Sequence, residues 1–181
     1  MTNELFFDTD CLSAFLWIND TNILEELYGG NIVLPNPVYD ELSNPMVPQL
    51  KRRADALIAK NMAVVKDIEV GSEEYRLYRQ LVSGAGDNKA IGNGEAAGIA
   101  LAKTYNGILA SNNYRDIADY VEKYGLRHVD TGMILKEALD KKLITEAEGN
   151  EVWQKMIERN RRLPAASFSE YLKKRMCKAK L

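Results

Sequence analysis

The chain has 181 residues, 46% of them apolar and 28% charged, which fits one domain of ordinary size and excludes a disordered, collagenous or disulfide-knotted protein. No uncharged apolar run approaches about 18 residues, so no transmembrane helix is expected. The opening MTNELFFDTD lacks a basic leader, and the two cysteines, Cys11 and Cys177, stand far apart as reduced thiols would, so a cytoplasmic protein is expected. The formal charge of −2 hides an asymmetry. From Lys155 onward nine Lys and Arg face two Glu, a local +7, which leaves −9 on the first 154 residues. An acidic body with a basic tail fits a carboxylate-rich site beside a segment that could hold a polyanion.

Residues 4–8 (ELFFD) predict a short buried strand. Leu12, Phe15, Leu16, Ile23, Leu24 and Leu27 recur at helical spacing, with a break near Asn19–Asp20 and a stop at Gly29–Gly30. NIVLP (31–35) is a second strand, and Pro37 suits the first turn of a helix that is interrupted at Asn44-Pro45. Residues 49–60 form an amphipathic helix, 63–68 a third strand, and 72–82 a helix opened by Ser72 and two acids. A glycine- and asparagine-rich loop (84–94) leads to an Ala-rich helix from about Glu95 to Lys103. GILAS (107–111) is a fourth strand, 115–125 a helix closed by glycine, and RHVD (127–130) a fifth strand; helices follow at 133–144 and about 146–160. Strands that alternate with helices predict an α/β/α sandwich around a parallel sheet of about five strands.

The acids fall at telling places. Asp8 follows the first strand directly, Glu41 lies in the helix after the second, and Glu95 and Asp116 stand at the starts of later helices. A parallel sheet would bring all four toward its carboxyl edge. Two like charges about 4 Å apart cost roughly 4 kcal/mol at an effective dielectric near 20, so clustered carboxylates need protons, cationic side chains or divalent cations. Oxygen ligands without His or Cys select Mg²⁺ or Mn²⁺ over Zn²⁺. The competing reading of Glu95 and Asp116 is helix capping, and of Glu41 a solvated helix face. An acid directly after Leu5-Phe6-Phe7, at a buried strand end, is harder to explain that way.

At these residues the chain resembles the PIN-domain nucleases, which include the VapC-like toxins. FFDTDCLSAFL (6–16) resembles the family's opening strand-plus-acid motif, with Asp10 where Asn or Ser is usual. IVLPNPVYDEL (32–42), NGEAAGIALAKTYNG (93–107) and ASNNYRDI (110–117) resemble the second, third and fourth. Many relatives carry an Asp pair where this chain has Asn112-Asn113. The resemblance implies a PIN-like nuclease domain over 1–145, followed by a helical extension with a basic tail over 146–181. It implies a Mg²⁺- or Mn²⁺-dependent endoribonuclease in which Asp8, Glu41, Glu95 and Asp116 hold the metal, leaving a 5′-phosphate and a 3′-hydroxyl. Thr9, Asp10, Ser111 and Asn113 would support the ligands, and Arg115 and the tail would steer RNA. Relatives often pair with a small antitoxin and often dimerise, so RNA, an antitoxin and a second copy are the partners implied. The alternative is a weakly active or inactive PIN-fold module that binds RNA or protein.

Other motifs carry less. GNGEAAG (92–98) matches a dinucleotide fingerprint in letters but follows a polar loop rather than a strand. His128 is the single histidine and has no nucleophile motif beside it. Tyr75, Tyr78, Tyr120 and Tyr124 recur at helical intervals and read as packing rather than as base-stacking groups.

Overall fold

The structure, a computed structural model, describes residues 3–86 and 89–178, with side chains through 175. Five parallel strands make one sheet: β1 (Leu5–Phe7), β2 (Ile32–Pro35), β3 (Ala63–Lys66), β4 (Ile108–Ala110) and β5 (Arg127–Val129), in the order β3-β2-β1-β4-β5. The central strand pairs Leu5 with Ile32 and Ile108, and Phe6 with Val33 and Leu109. Strand geometry sends alternate side chains to opposite faces. Leu5 and Phe7 therefore enter one apolar core, with Ile32, Leu34 and Ala110, while Phe6 enters the other with Val33 and Leu109.

Helices cover both faces, which is the expected α/β/α sandwich. On the Phe7 face pack α1 (Thr9–Ile18), α2 (Asn22–Tyr28), α3 (Asn36–Leu42), α4 (Pro48–Ala59), α8 (Thr131–Asp140), α9 (Glu146–Glu158) and α10 (Phe168–Lys178). On the Phe6 face pack α5 (Glu73–Ser83), α6 (Asn93–Thr104) and α7 (Tyr114–Tyr124). The Ala-rich stretch of α6 is buried from Ala96 to Ala102 because it lies close on the sheet; Gly98 faces Leu109, where a Cβ would come within 2.9 Å.

The C-terminal helices share the core of the sheet domain. Trp153 and Met156 of α9 and Phe168 and Tyr171 of α10 belong to the same cluster as Phe7 and Phe15. Trp153 donates its indole N–H to Ala165 O at 3.0 Å, and the Tyr171 hydroxyl bonds Asp130 at 3.0 Å. The basic tail is partly spent on itself: Lys174 pairs with Glu170 at 2.7 Å, and Arg175 donates to the Tyr171 hydroxyl at 2.9 Å. Lys180 and the side chains of Cys177 and Lys178 lie outside the described residues, while Cys11 is buried and free. Among the described residues no helix is long and apolar enough to cross a membrane.

Two expectations shift by a few residues. The Ala-rich helix begins at Asn93 rather than near Glu95, because the Gly92 backbone already has extended N-cap geometry (φ −63°, ψ 159°). Glu95 and Asp116 thus occupy the third position of their helices, and each turns to the side chain of Asn113. Three of the four tyrosines pack in the Phe6-side core: Tyr120 is buried and stacks with Tyr124, its hydroxyl donates to Lys89 O, and Tyr78 is partly buried beside them, while Tyr75 belongs to neither core.

Candidate functional site

The chain runs outward from β1 to β2 and β3, then crosses back to β4 on the other side of β1. In open parallel sheets the crevice at such a reversal, outside the carboxyl ends of the strands, is where ligands bind. Asp8 stands there, at the end of β1. It caps α1 with extended backbone (φ −83°, ψ 168°), and its Oδ1 accepts the Cys11 N–H at 2.7 Å. Its backbone N–H bonds Ala110 O at 2.9 Å, which ties the residue to the end of β4.

The second carboxylate oxygen, Oδ2, is buried and makes no hydrogen bond of ordinary geometry, although the Ser111 hydroxyl lies close by. A buried polar atom without a well-formed hydrogen bond is costly and calls for a reason. Burial raises the Asp8 carboxyl from 3.8 to about 7; the neighbouring Ser111 hydroxyl and the Cys11 N–H oppose the rise, and the negative charges of Glu95 and Asp10 add to it. Capping therefore accounts for one oxygen of this side chain and leaves the other without a structural explanation.

The other acids are tied to this edge through polar side chains. The Thr9 hydroxyl donates to Glu41 Oε2, which turns the exposed end of α3 toward the start of α1. Gly94, in the first turn of α6, lies against this pair: a Cβ there would stand 2.9 Å from Thr9 Oγ1 and 3.3 Å from Glu41 Oε2. The Asn113 amide donates to Glu95 Oε1 at 3.3 Å and to Asp116 Oδ2 at 2.8 Å, bridging the third and fourth acids. The Asn113 N–H in turn bonds Ser111 Oγ at 3.2 Å. Lys89 pairs with Asp116 at 3.2 Å; the Asn113 amide first, then Lys89 and Arg115, hold the Asp116 carboxyl below its usual range.

All four acids thus border the same edge. Asp8 and Glu95 interact electrostatically, Glu95 and Asp116 share one amide, and Glu41 is reached through Thr9. Among the described residues no three Asp, Glu, His or Cys side chains converge closely enough to hold one ion jointly. The donor chemistry nevertheless suits a hard cation: carboxylate oxygens, no His or Cys ligand, and one buried oxygen without a hydrogen bond of ordinary geometry.

Asp10 is exposed on the first turn of α1 and lines a neighbouring polar cavity rather than the carboxylate cluster. His128 is structural: its Nε2 bonds Ser111 O at 2.8 Å, its ring packs on Tyr114, and burial lowers its pKa. Asn112 is structural in part, since its Oδ1 accepts the Thr131 N–H at 2.9 Å and fastens the end of β4 to α8.

Residues 4–176 match the family described as the PIN domain. The chain belongs to the PIN-domain family. PIN domains are generally nucleases that use divalent metal ions. A search of curated proteins finds no match. Among solved structures, the chain is similar to VapBC-1 from nontypeable Haemophilus influenzae, at 17% identity over 70% of this chain and 97% of that one, with a TM-score of 0.48.

Two participants in this PIN domain escape sequence reasoning. Lys89 sits 27 residues before its partner Asp116, in a loop without periodicity, so no local pattern links them. Gly94 is visible as a letter in GNGEAAG, but its use, a close approach of α6 to Thr9 and Glu41, exists only in three dimensions.

Proposed function

We propose that this PIN domain is a Mg²⁺- or Mn²⁺-dependent endoribonuclease that cuts RNA at the carboxylate edge between β1 and β4. The observation that carries the reading is Asp8 Oδ2, a buried carboxylate oxygen with no hydrogen bond of ordinary geometry, beside Glu95 at the reversal of the sheet. A divalent cation bound there would supply Lewis-acid activation of the phosphodiester and of the attacking water. The chain's part is to place and charge the ligands. Asp8 keeps Oδ1 on the Cys11 N–H, which fixes the plane of the carboxylate and leaves Oδ2 free to ligate. Asn113 holds Glu95 and Asp116 near one another against their like charge, and Lys89 offsets part of it. Thr9 orients Glu41 toward the same edge. Such supporting hydrogen bonds typically matter about 10–100-fold in affinity or activity.

Incubation of the protein with a mixed RNA pool and Mn²⁺ tests the reading. Cleavage should fall at least about a hundredfold in Asp8→Asn and in Glu95→Gln, as expected when transition-state charge stabilisation is lost. Equal cleavage by wild type and both variants would remove these acids from the mechanism. The reading includes RNA as substrate, with a small antitoxin and a second copy of the chain as partners. An antitoxin would have to cover this carboxylate edge, so its addition should suppress cleavage.

A second reading keeps the fold and loses the chemistry. It is favoured by the Asn112-Asn113 pair and by the absence of three converging acids among the described residues. It expects RNA retention without cutting and little metal uptake, so Mn²⁺ binding that vanishes in Asp8→Asn would count against it.

A further inference from the structure

A tight turn after α9 brings two arginines to the margin of the carboxylate edge. Arg159 ends the helix and Asn160 takes left-handed backbone (φ 58°). The Asn160 N–H bonds Ile157 O at 2.8 Å and the Arg161 N–H bonds Met156 O at 3.0 Å, the paired bonds of a Schellman stop. This turn reverses the chain toward α1. The Arg161 guanidinium packs over the Trp17 ring, 5.7 Å from its centroid, and its Nε donates to Arg159 O at 3.1 Å. Arg162 is exposed, and among the described residues no carboxylate forms an ion pair with either arginine.

Between this turn and the start of α1 lies a cavity of about 250 Å³, lined by Asp10, Asn112, Asn160, Arg161 and Arg162. Asn112 follows Ser111, the neighbour of Asp8, so the cavity adjoins the carboxylate edge. Because Asn112 Oδ1 is taken by the Thr131 N–H, its NH₂ is the end left to donate. Two arginines and two asparagines line it with a single acid, Asp10, so the lining residues sum to net positive in a body that is otherwise acidic. Guanidinium groups match phosphate oxygens in charge and fork geometry. An Asp at 112 would place negative charge in this lining, whereas Asn112 does not.

We infer that this cavity is a subsite for a backbone phosphate of the nucleic-acid strand, next to the phosphodiester that is cut. The inference rests on the ribonuclease reading for its substrate and assigns Arg161, Arg162 and Asn112 the task of holding the strand in register. Asp8 and the acids around it repel an RNA backbone, so an adjoining cationic subsite offsets that repulsion.

The test is equilibrium binding of a fluorescent single-stranded RNA to the full chain in chelator, across a salt series, for wild type, Arg162→Glu and Asn112→Asp. Arg162 is exposed, and Asp at 112 retains the acceptor for the Thr131 N–H, so both variants should keep the wild-type melting temperature. Each should bind roughly tenfold more weakly, and the salt slope should drop by about 0.7 for one lost phosphate contact. Unchanged affinity and slope in both variants, or no RNA binding by wild type, would overturn the subsite. A parallel assay with Mn²⁺ separates the two readings. Cutting without dependence of binding on Arg162 sinks the subsite alone. Binding that needs Arg162, with no cutting, supports the subsite and sinks the nuclease.

Discussion

Asp8 holds the chemistry of the site at its simplest. Its carboxyl is raised to about 7 in the metal-free protein, chiefly by burial, and has its ordinary value of 3.8 when unfolded. The folded state therefore keeps a proton that the unfolded state loses across this window, so stability should fall as pH rises from about 4 to 7. The span is worth on the order of 4 kcal/mol at most. Asp116, held low by Asn113 and Lys89, works in the opposite sense, so the diagnostic quantity is the difference between proteins. Urea unfolding of wild type and Asp8→Asn in chelator should show wild type losing stability relative to Asp8→Asn between pH 4 and 7; parallel profiles would mean that Oδ2 carries no buried-charge penalty. Asp8 was legible in the sequence because an acid directly after three apolar residues at a strand end has few structural reasons to exist. The partners of the other acids were less so: Thr9 and Asn113 were visible as polar neighbours, but that one amide spans Glu95 and Asp116 follows from the packing of α6 on α7, which no local spacing encodes.

At the scale of elements, the site depends on how closely α6 approaches α1 and α3. Gly94→Ala puts a methyl 2.9 Å from Thr9 Oγ1 and 3.3 Å from Glu41 Oε2. It should separate that pair and lower cleavage about tenfold or more, while costing only about 1–2 kcal/mol of stability, since the first turn of α6 can shift outward. Full activity with a normal melting temperature would show that the Thr9–Glu41 contact is dispensable. Gly132 makes a different close approach: a Cβ there would run into the Tyr171 ring, which holds α10 to α8. Gly132→Ala should cost roughly 1–3 kcal/mol, read as a lower urea midpoint, with no direct effect on the acids. Strands and helices were readable because apolar runs and helical periodicity are local signals, as in Leu5-Phe6-Phe7 and in Leu77 and Leu81 of α5. The segment after residue 160 was not, since Phe168 and Tyr171 become core residues only through contact with α8 and α9.

For the molecule as a whole, the reversal of strand order between β1 and β4 decides where chemistry occurs, and the C-terminal helices decide what lies beside it. Trp153 sits in the same core as Phe7 and Phe15. Trp153→Ala should therefore cost about 3–5 kcal/mol and keep a single cooperative unfolding transition; a separate early transition would show that 146–178 folds as an independent unit. The turn those helices support carries Arg161 and Arg162 to the acidic edge, so cation ligands and strand-holding groups come from opposite ends of the chain. The account turns on whether Asp8 holds a hard cation, and calorimetric titration of Mn²⁺ into wild type and Asp8→Asn at pH 7 asks this directly. Wild type should bind with release of a fraction of a proton, seen as a heat that changes with the buffer's ionisation enthalpy, and Asp8→Asn should show neither binding nor that proton. Equal Mn²⁺ affinity in the two proteins would contradict the account.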